Sequence, residues 1–135
     1  MPPPKILLVD DDSLMHRLYR QHIERAGYEM LSAYNGLEAV AVASRETPQL
    51  IIMDIMMPEL DGLSAIREIK RAEANKDVPV IVVTANPHYH LSQKESEWAG
   101  ASLFLTKPFG PASLVSAIKL LVPSAGPQPE STPST

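Results

Sequence analysis

The chain has 135 residues, no cysteine and a formal net charge of −4 at pH 7. This length accommodates one domain with a buried core, and the lack of cysteine excludes disulfides and Cys-ligated metal sites. The acidic balance offers no basic patch for a phosphate backbone, which argues against direct nucleic-acid binding. The sequence shows no secretory signal and no run long enough to span a membrane, so a cytoplasmic protein without membrane contact is expected.

Short aliphatic runs alternate with helical patterns along the whole chain. Ser13 is the predicted N-cap of the first helix, and Gly27 is its predicted stop. In chain order, the predicted elements are a strand at 5–9, a helix between Ser13 and Gly27, a strand at 28–33, a helix at 37–45, a strand at 49–54, a helix around 63–69, a strand at 78–83, a helix at 88–98, a strand at 102–105 and a helix around 114–121.

Five strands with continuous apolar runs, each followed by a helix, predict a parallel sheet that is covered on both faces. We therefore expect a doubly wound α/β domain with the common strand order 2-1-3-4-5. Residues 5–122 form this predicted domain. The Pro/Ser/Thr-rich segment 123–135 is expected to be a flexible tail or the start of a linker.

Polar residues stand where the predicted strands end. Asp10 and Asp11 follow the first strand and Asp54 closes the third, while Thr84 and Lys107 follow the fourth and fifth. In this strand order, ligands bind outside the carboxyl ends of neighbouring strands 1 and 3. Two carboxylates about 4 Å apart repel by roughly 4 kcal/mol at an effective dielectric of about 20. A Mg²⁺ ion, which prefers oxygen ligands, would offset that repulsion.

Four motifs carry a resemblance to a known family. VDDD at 9–12, MDIMMPELDG at 53–62, VVTAN at 82–86 and TKPF at 106–109 resemble the receiver domain of bacterial two-component response regulators. The resemblance covers about residues 5–122. It implies the flavodoxin-like three-layer fold and a signalling switch that promotes its own phosphorylation and dephosphorylation, rather than an enzyme in the ordinary sense.

The resemblance also implies roles for the acidic residues. Asp54 matches the phosphoacceptor, which forms an acyl phosphate. Asp10 and Asp11 match the acidic pair of the family. Asp11 is then the direct Mg²⁺ ligand, beside the Asp54 carboxylate and the backbone carbonyl of Met56.

Three further residues take their expected roles from the same resemblance. Thr84 and Lys107 match the hydroxyl and the ammonium that bind the phosphoryl oxygens. The resemblance implies a cis Lys107-Pro108 peptide, whereas the statistics of X-Pro bonds alone favour trans, so the isomer stays open. Phe104 stands where the family usually has an aromatic residue, often tyrosine. We hypothesise that Thr84 and Phe104 form the switch that couples the site to the face of the last two helices and the fifth strand.

The expected phosphoryl donor is a histidine kinase or a histidine phosphotransfer protein, and the downstream protein target is unknown. A single-domain regulator or phosphorelay intermediate is the favoured organisation. A receiver fragment of a larger regulator or hybrid kinase, and a pseudo-receiver that is not phosphorylated, are the alternatives. A phosphorylation-dependent homodimer also stays open.

A haloacid-dehalogenase-type phosphatase is the alternative from another functional class. Asp10 and Asp12 fit its D-x-D motif after a first strand, and the polar residues after strands 4 and 5 fit its next two motifs. Two features argue against it. Leu14 stands where that pattern needs Thr or Val, and the only acid after the fifth strand is Glu130, in the tail.

Overall fold

The computed structural model describes residues 2–54, 62–84, 102–106 and 109–123. Within these ranges, a five-stranded sheet has the order β2-β1-β3-β4-β5, and each neighbouring pair is parallel. The predicted order is therefore confirmed. The strands are β1 Lys5–Val9, β2 Glu29–Ala33, β3 Leu50–Asp54, β4 Val80–Thr84 and β5 Leu103–Thr106.

Helices follow the strands and cover the sheet. The described helices are α1 Ser13–Arg25, α2 Gly36–Glu46, α3 Gly62–Lys70 and α4 Pro111–Leu121, with a 3-10 turn at Glu73–Asn75 before β4. The helix predicted over 88–98 lies outside the described residues, as does the tail from residue 124 onward. In the described part of the chain, no helix is both long and apolar enough to cross a membrane.

The continuous apolar runs of the strands reflect burial on both faces of the sheet. Ile6 and Leu8 of β1 face the layer that contains α1 and α4, whereas Leu7 and Val9 face the layer that contains α2 and α3. Since successive side chains of a strand point to opposite faces, both sets must be apolar when helices cover both sides. The apolar pattern of the strands is therefore explained by a three-layer domain, with the sheet between two layers of helices.

The start of α1 corrects one detail of the sequence analysis. Asp12 is the N-cap, with an extended backbone and a carboxylate oxygen that accepts a hydrogen bond from the Leu14 amide at 2.9 Å. Ser13 is the first helical residue, so its predicted role as the cap is wrong. A carboxylate caps as well as a hydroxyl and adds a favourable interaction with the positive end of the helix dipole.

The turn between β2 and α2 is fixed by two reciprocal hydrogen bonds. The Asn35 side chain accepts from the Glu38 amide at 2.8 Å, and the Glu38 carboxylate accepts from the Tyr34 amide at 2.8 Å. The first bond satisfies an amide that the helix start leaves without a partner, and the second fixes the residue before the cap. This residue, Tyr34, directly follows the carboxyl end of β2.

Tyr28 joins the beginning of β2 to the end of α4. Its side chain is buried, and its hydroxyl donates a hydrogen bond to the Val122 carbonyl at 2.5 Å across 94 positions of the sequence. Burial raises the pKa of this hydroxyl above its ordinary value of 10.0. The folded state therefore favours the neutral phenol. This contribution to stability is complete below the pKa of the tyrosine in the unfolded chain, and it is lost as the pH rises through the raised pKa of the folded protein.

Tyr28→Phe is expected to lower the free energy of unfolding by about 1 kcal/mol at pH 7, the usual net value of one hydrogen bond. Because ionisation above pH 10 favours the unfolded wild type but leaves phenylalanine unaffected, the difference between the two proteins should shrink there. Urea unfolding at both pH values measures it. Tyr34→Phe, at an exposed tyrosine, is the matched control, and a constant Tyr28→Phe difference from pH 7 to 11 would contradict the assignment.

Candidate functional site

The pairing of the strands brings the ends of β1, β3 and β4 together. Val9 lies opposite Met53, so Asp10 and Asp54 are the next residues on neighbouring strands. On the other side of β3, Asp54 lies opposite Val83, and Thr84 follows. Because neighbouring strands are only about 4.8 Å apart, this register places side chains from three strands at one rim of the sheet.

Three carboxylates converge at this rim. One oxygen from each of Asp10, Asp11 and Asp54 can be chosen so that all three lie within 4.8 Å of one another. Asp10 and Asp54 are 3% and 5% exposed, whereas Asp11 is exposed. The strand order expected from the sequence thus leads to the proximity expected for these acids, with two of them inside the fold and the third open to solvent.

The donor set at this rim fits a hard divalent cation. Mg²⁺ takes oxygen ligands at about 2.1 Å, so oxygens on opposite sides of the ion are about 4.2 Å apart. Three carboxylate oxygens within 4.8 Å of one another can reach one such ion with small side-chain adjustments. The exposed side of the cluster at Asp11 leaves room for the waters that Mg²⁺ usually retains.

Only some of the other predicted site residues lie in the part of the chain that the structure describes. Thr84 is 2% exposed at the end of β4 and lies opposite Thr106 of β5. Lys107 follows Thr106 directly in the sequence, but both Lys107 and Met56 lie outside the described residues. The backbone of Phe104 belongs to β5, whereas its side chain also lies outside the described part. The roles expected for Thr84, Lys107, Met56 and Phe104 therefore stay predictions.

The acidic turn after β1 is held by several backbone and side-chain contacts. The Asp10 amide donates to the Ala33 carbonyl of β2 at 3.2 Å, and the Asp12 amide donates to a carboxylate oxygen of Asp10 at 2.9 Å. The Asp10 carbonyl accepts a hydrogen bond from Nε2 of His16 at 2.8 Å. Asp11 thus lies between two residues whose backbones are fixed.

His16 was not among the predicted site residues. It is 2% exposed on the sheet-facing side of α1, together with Tyr19 and Ile23. The sequence does carry a signal for it, because positions 16, 19 and 23 share one helix face and a histidine interrupts an otherwise apolar set. Buried polar groups need partners, so this interruption indicates a hydrogen-bonded role that the sequence alone cannot locate.

Comparison with known proteins identifies the family of this site. The family model described as the response regulator receiver domain matches residues 6–119. The phosphate regulon transcriptional regulatory protein PhoB of Pseudomonas aeruginosa is 36% identical over 128 residues, which cover 95% of this chain and 56% of that protein. The polar-differentiation response regulator DivK of Brucella anthropi is 33% identical over 87% of this chain and 94% of its own length.

Solved structures agree with these sequence relatives. The chemotaxis protein CheY4 of Vibrio cholerae superimposes with a TM-score of 0.81 at 28% identity, over 88% of this chain and 98% of that one. The receiver domain of the sensor histidine kinase PA1611 of Pseudomonas aeruginosa, solved with a magnesium ion in its active-site cleft, has a TM-score of 0.78 at 33% identity and covers 90% of this chain and 98% of its own.

Some of these proteins match over their whole length, and others match over one part only. The chain spans about half the length of the first curated relatives, from 46% to 56%. DivK and the solved receiver domains match over nearly their full length. The family assignment also makes the phosphatase alternative wrong. On its sequence, its strand order and its acidic rim, the chain belongs to the family of response regulator receiver domains.

Proposed function

We propose that this receiver accepts a phosphoryl group on Asp54 from a phosphohistidine and thereby switches the binding of a protein target. The donor would be a histidine kinase or a histidine phosphotransfer protein. The observation that carries the proposal is the convergence of the Asp10, Asp11 and Asp54 carboxylates at the carboxyl ends of the strands. A carboxylate nucleophile beside a cation site meets the two needs of phosphoryl transfer, which are positioning and charge neutralisation.

The proposed transfer is a single displacement at phosphorus. A carboxylate oxygen of Asp54 forms the new bond to phosphorus while the bond from phosphorus to the donor imidazole nitrogen breaks. The electron pair of the broken bond stays on that nitrogen, and the imidazole takes up a proton from solvent. The product is an acyl phosphate on Asp54, which water can later hydrolyse.

Side chains around Asp54 would stabilise the charge that spreads over the phosphoryl oxygens. Thr84 ends the neighbouring strand, and its hydroxyl is proposed to donate a hydrogen bond to one oxygen. Lys107 follows the strand after that, and its ammonium is proposed to bind another. Preorganised donors of this kind stabilise a transition state because they need not reorient during the reaction.

Asp10, Asp11, Asp54 and the backbone carbonyl of Met56 are the proposed Mg²⁺ ligands. Their oxygens match the ligand preference of this ion. When bound, Mg²⁺ supplies positive charge beside the phosphoryl oxygens, and it relieves the repulsion among the carboxylates. Asp12 is not included, because its carboxylate caps α1.

The proposed output is a shift between two conformations of similar free energy. Contacts of the phosphoryl group with Thr84 and Lys107 would favour one of them, and Phe104 would repack as Thr84 moves. A downstream protein, or a second copy of the chain in a phosphorylation-dependent dimer, would recognise the favoured conformation. A stand-alone receiver or phosphorelay intermediate, and a receiver within a longer protein, both accommodate this mechanism.

Incubation with Mg²⁺ and a small acyl phosphate should add one phosphoryl group, measured as a gain in intact mass. Asp54→Asn should abolish the gain because the amide is a poor nucleophile. Asp77→Asn removes an exposed carboxylate that precedes the amino end of β4, opposite the carboxyl ends where the acids meet, and should leave the gain unchanged. A folded, Mg²⁺-binding wild type that gains no phosphoryl group would instead support the pseudo-receiver alternative.

Mg²⁺ should stabilise the wild type by about 2.7 kcal/mol at a concentration 100-fold above its Kd, as any ligand of the folded state does. Asp11→Ala should remove this dependence. In the presence of a chelator, the same variant should be more stable than the wild type by about 1 kcal/mol, since one repulsive charge is gone near the solvent. Denaturant unfolding with and without Mg²⁺ measures both effects.

Asp12→Asn is the matched control for this experiment. It removes the adjacent negative charge but retains an oxygen that can accept from the Leu14 amide. Its Mg²⁺ dependence should resemble that of the wild type. Equal loss of Mg²⁺ stabilisation in Asp11→Ala and Asp12→Asn would show that general negative charge, and not a ligand set, attracts the ion.

A further inference from the structure

A chain of hydrogen bonds, buried at His16 and partly exposed at Arg20, runs from α1 and β2 to the acidic turn. Nη2 of Arg20 donates to the hydroxyl oxygen of Ser32 at 2.9 Å. That oxygen lies 2.8 Å from Nδ1 of His16, and Nε2 of His16 lies 2.8 Å from the Asp10 carbonyl oxygen. The chain connects an edge strand of the sheet to the backbone of a proposed metal ligand.

The partners at the two ends of this chain identify two of the hydrogen-bond donors, Arg20 and Nε2 of His16. A guanidinium only donates and a carbonyl only accepts, so Arg20 must be the donor to Ser32, and Nε2 of His16 must carry a hydrogen toward Asp10. The Ser32 hydroxyl can both accept from Arg20 and form a hydrogen bond with Nδ1 of His16. Nε2 of His16 therefore carries a hydrogen, and both ring nitrogens lie in hydrogen bonds.

The imidazole ring is also fixed by packing. Its centroid lies 4.2 Å from that of the Tyr34 ring, with the two planes tilted by 35°. A second guanidinium nitrogen of Arg20 donates to the Met30 carbonyl at 2.9 Å, which anchors the far end of the chain on β2. The ring therefore has little freedom to turn away from the Asp10 carbonyl.

The carbonyl that His16 holds belongs to the peptide unit between Asp10 and Asp11. Because a peptide unit is planar, fixing its carbonyl direction also fixes the orientation of the Asp11 amide and restricts the position of its Cα. Asp12, the next residue, is fixed by its cap and by its amide bond to Asp10. The exposed Asp11 side chain thus starts from a backbone held on both sides.

We infer that His16 is a positioning residue, which orients the Asp10-Asp11 peptide so that both carboxylates face Asp54 as a preformed Mg²⁺ site. This inference rests on the proposed function for its metal, but the hydrogen-bond geometry can be tested without it. Groups that orient metal ligands from behind typically change metal affinity by about 10- to 100-fold when removed.

The test compares His16→Phe, His16→Gln and a control, His22→Phe. Phenylalanine keeps a ring against Tyr34 but removes both hydrogen bonds, whereas glutamine can retain a donor near the position of Nε2. His22 lies six residues further along α1, with a half-buried side chain. Mg²⁺ affinity is measured by calorimetry on folded protein, well below the unfolding temperature of each variant.

His16→Phe should weaken Mg²⁺ binding by about 10- to 100-fold, with His16→Gln between it and the wild type, and His22→Phe unchanged. Lower thermal stability of His16→Phe with wild-type Mg²⁺ affinity would overturn the inference, because the residue would then be merely structural. If His16→Phe does not fold, Ser32→Ala replaces it. This variant removes the hydroxyl that Nδ1 shares with Arg20 but keeps the hydrogen bond of Nε2 to Asp10, so it should weaken binding less.

Nitrogen NMR of the metal-free protein provides the second readout. The wild-type His16 ring should carry a hydrogen on Nε2, and the Asp12 amide should exchange faster with solvent in His16→Phe than in the wild type. A hydrogen on Nδ1 alone, or an unchanged Asp12 amide, would overturn the inference. If the wild type binds no Mg²⁺, the proposed function fails, and these metal-free signals alone decide whether His16 positions the turn.

Discussion

Mutual repulsion among three carboxylates at one rim of the sheet is the constraint on which the rest of this structure depends. One oxygen of each lies within 4.8 Å of the others, and at that distance each pair of charges costs between roughly 1 kcal/mol in water and about 3 kcal/mol at a typical protein site. Asp10 and Asp54 are nearly buried, so solvent screens them little. Other interactions of the folded state must outweigh this repulsion, and a cation bound at the rim would reduce it.

The apolar sheet supplies those forces. Each fully buried aliphatic side chain contributes about 1.5–3 kcal/mol, and the strands beneath the rim are lined with such residues on both faces. A few of them outweigh the repulsion of the acidic pairs. Parallel pairing also determines the geometry of the site, because the register that buries Val9 against its neighbours places Asp10 beside Asp54.

Local hydrogen bonds fix the acidic turn more closely than the pairing of the strands does. The cap at Asp12 and the bond from the Asp12 amide to Asp10 fix the turn from one side, and His16 holds it from behind. Phosphoryl transfer depends on positioning more than on covalent chemistry. A turn that is rigid before the ion and the donor arrive would avoid the entropic cost of ordering it during binding.

The sequence by itself determined the α/β class, the strand order and the meeting of the acids of strands 1 and 3. Continuous apolar runs identify the buried strands, and the residues that follow each run identify the side chains at the strand ends. Both are local features of the sequence. Tertiary structure decided that Asp12 and not Ser13 caps α1, since both are good caps and their competition depends on the geometry of the turn. It also decided the hydrogen-bond partners of His16. Its partners Ser32 and Asp10 come from other elements, and only packing brings such distant groups within hydrogen-bond distance.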